Sequence, residues 1–316
     1  MHSTKDGSKI KLIFWGTPPI AKQCLSSILD DDSFEVCAVV TQPDKPVGRS
    51  QVMTPSPVKE LALSHGIPVY EPRTLRDPAT VEELEGKIRA FGADYSVVVA
   101  YGQIMPKSLL NTPMRGSVNL HVSLLPKYRG ASPMQEALKQ GDSETGVTIQ
   151  RMVEGLDHGD LLATAPLSIL PDDTFTEVYA NASRIGSKLL VVTLKDDFAG
   201  LVTPKKQTES DASYCTKMTK EDGRVDFTKM TAQEIYNLYR AYKEWPGVWT
   251  NLAGKKVLLH AMKLGSYFEG LPASFKFVKD EGLYVQCKEG ALRLTELQWE
   301  GKKKVNFEDF WNGMRR

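Results

Sequence analysis

The chain has 316 residues, 41% hydrophobic and 25% charged, an ordinary globular composition and a length that suits two domains. Lys and Arg total 40 against 39 Asp and Glu, so no global field draws the protein to nucleic acid or membrane, although a local basic patch would serve a polyanion. No apolar run approaches the ~18 residues of a membrane span, the polar start lacks a signal-peptide core, and four scattered cysteines without C-x-x-C argue against a zinc or disulfide framework.

In chain order, residues 10–15 (IKLIFW) read as a strand closed by Gly16-Thr17-Pro18-Pro19. Ile20, Cys24, Leu25 and Ile28 then recur at helical spacing, and 34–41 (FEVCAVVT) is a second strand. Residues 57–65 read as helix, 67–70 as extended and 79–91 as helix. The continuous apolar run 94–101 suits a central parallel strand covered on both faces. Strands at 118–122, 147–152 and 161–170, a short helix at 133–139 and a long one at 175–194 complete the rhythm. Such alternation predicts an α/β fold with an open, mostly parallel, Rossmann-like sheet.

The rhythm stops near Leu201. Residues 203–213 (TPKKQTESDAS) are polar without period and read as a linker; a helix at 232–242 and short strands at 256–264, 274–278, 283–287 and 291–297 follow. This pattern predicts a small C-terminal β-barrel, OB-like in character. Basic residues outnumber acidic ones 18 to 15 from Gln207 onward and are outnumbered 22 to 24 before it. The tryptophans Trp245, Trp249, Trp299 and Trp311 read as core anchors.

The first turn lacks G-x-G-x-x-G, and its two prolines remove N–H groups that a pyrophosphate would need. No Gly-x-Ser-x-Gly elbow and no H-x-x-x-H metal pair occurs. What remains is the stretch from Asn119 to Gly130 (NLHVSLLPKYRG). Asn119 and His121 share a strand face, the first able to donate to a developing oxyanion, the second able to carry a proton. Asp157, in Gly155-Leu156-Asp157-His158-Gly159-Asp160, is the best third member; Asp160 is an acidic rival, Asp157 could instead shape its own turn, and His158 reads as a surface turn residue. An Asn, a His and an Asp without nucleophile or metal suit direct transfer between two bound substrates.

These motifs resemble the folate-dependent formyltransferases, through Asn119–Pro126 with Tyr128-Arg129-Gly130, the loop Gly155–Asp160, Phe14–Pro18, Thr41–Arg49 and Pro55–Lys59. The closest likeness is to members acting on aminoacylated tRNA. It implies an enzyme that moves the formyl group of 10-formyltetrahydrofolate to the α-amino group of methionine on initiator tRNA, in the cytoplasm and without a metal. Acceptance of a small amine, or hydrolysis of the folate donor, are the alternatives. Carried over, Asn119, His121 and Asp157 form the catalytic trio, with His121 protonated beside Asp157. Ser123, Leu124, Leu125 and Pro126 contact the folate, and Gly102, Gln103, Ile104 and Met105 lie at the pterin pocket. Arg49 and Lys45, on the long connection 42–57 with Lys59 at its edge, meet the tRNA acceptor end. Residues 1–202 would form the catalytic domain, 203–213 the linker and 214–316 an OB-like tRNA-binding domain; a monomer is expected. His158 stands where threonine is usual, and Ser132 where alanine is common.

Overall fold

β1 (Ile10–Gly16) is buried along almost its whole length, as a strand covered on both faces must be. It opens a computed structural model that describes residues 9–48 and 50–314. After it come α1 (Pro19–Leu29), β2 (Phe34–Val40), β3 (Lys45–Val47), β4 (Val52–Thr54), α2 (Pro57–Ser64), β5 (Val69–Tyr70) and α3 (Pro78–Phe91). The chain continues with β6 (Tyr95–Val99), α4 (Lys107–Leu110), β7 (Ser117–His121), β8 (Arg129–Gly130), α5 (Pro133–Gln140), β9 (Glu144–Arg151), β10 (Leu161–Ser168) and α6 (Phe175–Phe198). The last third holds β11 (Tyr214–Cys215), α7 (Ala232–Tyr242), β12 (Val248–Leu252), β13 (Lys255–Gly265), β14 (Phe275–Val278), β15 (Gly282–Gln286), β16 (Ala291–Trp299), β17 (Val305–Asn306) and α8 (Phe307–Met314).

Two compact units emerge. The first gathers the chain up to Gly130 with Thr145–Leu167 and Tyr179–Tyr214. Its seven-stranded sheet runs β10-β9-β7-β6-β1-β2-β5. The pairs from β7 through β6, β1 and β2 to β5 are parallel. β9 reverses the sense and runs antiparallel to β7, setting Gln150 opposite Asn119 and Thr148 opposite His121. The sheet is therefore mostly parallel but mixed, and a fully buried strand of either sense carries the same apolar pattern.

Strand period two explains the two cores of this unit. Leu12 and Phe14 face α1 through Ile20, Cys24, Leu25 and Ile28, with Leu190 and Leu194 of α6 on the same side. Ile13 and Trp15 face the other way, against Leu84 and Ile88 of α3 and Leu109 and Leu110 of α4. The helix ends are chemically marked. Asp77 accepts from the Ala79 and Thr80 amides at the start of α3, and Gly92 closes it at φ 61°. At α1 the N–H of Ile20 is taken by the Tyr179 hydroxyl at 2.8 Å.

The second unit comprises Ala131–Glu144, Ser168–Val178 and the chain from Cys215 onward. Its strands form one antiparallel sheet in the order β12-β13-β16-β15-β14, with β17 on β16. α7 starts with a capping box between Thr231 and Glu234. β12 and α8 escaped the pattern reading. α8 is held by Phe310, 1% exposed and stacked on Trp299 with ring centroids 5.0 Å apart. Trp311 stacks on Phe277 and Trp249 is buried, but Trp245 is 47% exposed and is no core anchor.

Candidate active site

β7 ends at His121, and its pleat places Asn119 and His121 on one face. Asn119 Nδ2 donates to the Val98 carbonyl at 3.0 Å, while its Oδ1 accepts from Gln150 Nε2 at 3.3 Å. The same Gln150 nitrogen donates to Asp157 Oδ1 at 2.9 Å. Asp157 Oδ2 accepts the Gly130 amide at 2.9 Å and lies 3.5 Å from His121 Nδ1. Asn119, His121 and Asp157 are thus brought together, and Asp160 is not: its carbonyl accepts the Arg151 amide at 2.9 Å, as part of the backbone.

His121 Nε2 is 3.0 Å from the Tyr128 carbonyl, an atom that can only accept, so Nε2 carries a proton. The neutral ring then turns its Nδ1 lone pair towards Asp157. Burial lowers the His121 pKa below its ordinary value, and this outweighs the opposing pull of Asp157 and of the Tyr128 carbonyl. Burial thus works against the imidazolium that Asp157 favours.

The loop that carries Asp157 is fixed by close packing. A Cβ on Gly159 would sit 1.6 Å from the Arg151 carbonyl oxygen, so only glycine fits there. Asp157 itself adopts φ 59°, a left-handed conformation that Asp tolerates better than most residues. Residues 203–213, read as a linker, are bonded into this unit. Lys205 pairs with Leu161, and Gln207 Nε2 donates to the carbonyls of Asp157 and Gly159, both at 2.8 Å. Glu209 meets the buried Arg129 at 2.9 Å, and Arg129 also donates to Gln207 Oε1 and the Tyr214 hydroxyl. His158 joins this cluster, its Nδ1 3.2 Å from Arg129 Nη1 and 4.0 Å from Glu209.

Ser123 to Pro126 follow β7 directly. Ser123 is fully buried, and its Oγ donates to the Lys127 carbonyl at 2.6 Å. Thr148 Oγ1 donates to the Ser123 carbonyl and accepts the Leu125 amide. Leu124 lies against Gly146, where a Cβ would come within 2.5 Å of it. The serine hydroxyl and the carbonyls of Ser123, Leu124 and Pro126 are thus committed within the protein, and the segment offers chiefly apolar walls. Tyr101 to Met105 leave the end of β6, the parallel neighbour of β7. Ile104 is 89% exposed, Met105 is buried, and Gln103 spends its amide on the Leu75 N–H and the Pro72 carbonyl.

The connection 42–57 is a two-stranded hairpin of β3 and β4, with Lys45 exposed and Val52 and Met53 outward. Arg49 lies outside the described residues. Lys59, at the edge of the connection, is paired with Asp44 at 2.8 Å and Glu71 at 2.9 Å.

Residues 8–194 match the formyl transferase family and 217–315 its C-terminal domain. A protein named methionyl-tRNA formyltransferase from Stutzerimonas stutzeri is 42% identical over 97% of this chain and 95% of its own length. One of the same name from Myxococcus xanthus is 42% identical over 97% of this chain and 96% of its own. The chain belongs to the methionyl-tRNA formyltransferase family. The formyltransferase fold extends to distant solved structures. An N-formyltransferase from Helicobacter canadensis, in complex with folinic acid and dTDP-3-aminofucose, superposes with TM-score 0.66 at 22% identity over 90% of this chain and 98% of that one. HypX from Aquifex aeolicus, in complex with tetrahydrofolic acid, matches 97% of this chain but 47% of its own, with TM-score 0.65 at 16% identity.

In this formyltransferase, sequence reasoning missed Gln150, Thr148 and Gln207. The first two are buried polar residues two apart on β9, alternating with the apolar Val147 and Ile149, which was the available signal. Gln207 sits in a polar stretch with no period, where nothing local marks it. Among the described residues no helix is long and apolar enough to cross a membrane.

Proposed function

We propose that this protein transfers the formyl group of 10-formyltetrahydrofolate to the α-amino group of methionine on initiator tRNA, in the cytoplasm. The observation that carries the reading is the junction of Asn119, His121 and Asp157 at the end of β7. The substrate amine needs little help to become a nucleophile, since an α-amine has a pKa of about 7.7–8.0 and its ester lowers it further. Asn119 binds the oxygen that becomes negative as the amine adds to the formyl carbon. One Nδ2 hydrogen is spent on Val98, which leaves the second for that oxygen. His121, neutral at rest with Nδ1 free of its proton, accepts the proton released by the amine; Asp157 stabilises the imidazolium so formed, and the ring returns the proton to the departing N10.

The folate subsite of this reading is lined by Ser123, Leu124, Leu125 and Pro126 on one side and Gly102, Gln103, Ile104 and Met105 on the other. The two segments leave neighbouring parallel strands at their C-terminal ends, where open α/β sheets bind ligands. Apolar side chains beside main-chain donors and acceptors suit a flat, polar-edged heterocycle. Lys45 on the hairpin and Arg49 of the same connection in sequence, with the C-terminal residues 214–316, take the tRNA; residues 1–202 carry the chemistry, joined through 203–213, and the enzyme acts as a monomer.

Single-turnover transfer from radiolabelled 10-formyltetrahydrofolate tests this, with methionylated initiator tRNA, elongator tRNA and free methionine side by side. Label appearing on the initiator alone is expected. Donor consumed without labelled tRNA overturns the reading in favour of hydrolysis or a small amine.

A further inference from the structure

Gln150 is 2% exposed and lies directly across the β7–β9 ladder from Asn119. Its Nε2 touches two members of the trio, at 3.3 Å from Asn119 Oδ1 and 2.9 Å from Asp157 Oδ1. The direction of these bonds is forced from both ends. The Val98 carbonyl can only accept, so the nitrogen of Asn119 must face it and the oxygen must face Gln150. The Asp157 carboxylate oxygen likewise calls for a donor, so the Gln150 nitrogen faces both. Gln150 Oε1 is left buried without a partner among the described residues, a cost the strand bears to hold the amide this way round. β9 is itself held in place: Arg151, the next residue, pairs with the buried Asp197 of α6 at 2.6 Å, and Asp197 accepts the Tyr95 hydroxyl.

We propose that Gln150 is a positioning residue for formyl transfer. Its single amide nitrogen orients the Asn119 amide so that a hydrogen of Nδ2 is presented to the developing oxyanion, and it sets the Asp157 carboxylate against His121. The role rests on the function proposed above, because both groups matter only if they meet the reacting formyl group. Its partner is not marked locally: Gln150 reaches the site through an antiparallel register with a strand 31 positions away in sequence.

Gln150→Met keeps the volume and removes both hydrogen bonds. Single-turnover transfer should slow about 10–100-fold, as expected for a misplaced catalytic group, with folate and tRNA binding within about twofold of wild type. Gln150→Glu, which sets an oxygen against both Asn119 Oδ1 and Asp157 Oδ1, should lose at least as much. Thr145→Val is the control: its Oγ1, on the same strand, is buried without a partner too, so its rate should not change. In an Asn119→Ala background the Gln150→Met effect should be smaller than in the wild type, with the remainder coming through Asp157, because one of the two groups it orients is gone. A full-sized effect in that background, or a folded Gln150→Met protein with wild-type rate, overturns the proposal. A wild-type enzyme that transfers no formyl group to tRNA overturns the function alone. The geometry is then read from the Asn119 side-chain amide resonances, which should move in Gln150→Met and stay put in Thr145→Val. Resonances unmoved by Gln150→Met overturn the positioning role.

Discussion

His121 Nδ1 stands 3.5 Å from Asp157 Oδ2, yet the dryness of the site outweighs that attraction and holds the histidine below its ordinary pKa of 6.5. A neutral ring is needed to take the proton of the attacking amine, so the acid limb of the rate profile attributable to His121 should lie below pH 6.5. Stability carries the same sign. Above the unfolded value both states hold a neutral ring and the group contributes nothing. As pH falls below it the unfolded chain takes up the proton first, and stability declines until the folded value is reached. Urea unfolding of wild type and His121→Gln between about pH 7.5 and 5 checks this. The wild type should lose stability across that window more steeply than the variant.

Asn119→Ala and His121→Ala each remove a group that meets the developing charge or its proton. Each should lower single-turnover transfer by about 100–1,000-fold while tRNA binding stays nearly intact. Turnover surviving both substitutions would exclude the mechanism.

Gln207 braces the aspartate loop through the carbonyls of Asp157 and Gly159. Gln207→Leu leaves both acceptors without this donor and should cost about 1–3 kcal/mol by denaturant unfolding. It should also slow transfer, since the carboxylate loses its backbone support. An unchanged rate would mean that the Gly130 and Gln150 bonds alone hold Asp157.

Gly159→Ala is the sharpest test of the loop. A methyl group placed 1.6 Å from the Arg151 carbonyl oxygen forces the loop or the end of β9 to move. We expect a loss of about 3 kcal/mol or more, and activity reduced with it.

Lys45→Ala and Arg49→Ala address the cations of the 42–57 segment. Each phosphate that is no longer neutralised should flatten the salt dependence of tRNA affinity by about 0.7–0.9 in log–log slope, with transfer at saturating tRNA little changed. Slopes identical to wild type would place the RNA-binding cations elsewhere.

Much of the fold was legible without coordinates because its signals are local. Continuous apolar runs marked the buried strands, helical spacing of Ile20, Cys24, Leu25 and Ile28 marked α1, and the 232–242 helix was read at its observed bounds. The site was legible in part for the same reason: Asn119 and His121 are two apart on one strand, and the turn residues around Asp157 announce a tight loop. What was missed or misplaced had physical causes. Lys59, at the edge of the 42–57 connection, holds Asp44 and Glu71, a pairing that sequence cannot show. Trp245 looked like an anchor because size alone does not say which side of the surface a ring occupies.

The sequence by itself determined the alternation of strands and helices, the polar pair on β7 and the glycines that permit the Asp157 loop, all set by periods of two and 3.6 and by backbone sterics. Only the tertiary structure decided the antiparallel sense of β9, which sets Gln150 between Asn119 and Asp157. It alone folded a polar stretch around 207 back as the brace of the loop, and it alone made the site dry enough to neutralise His121. Strand register, ion pairing and desolvation are properties of groups far apart in the chain, and no local pattern encodes them.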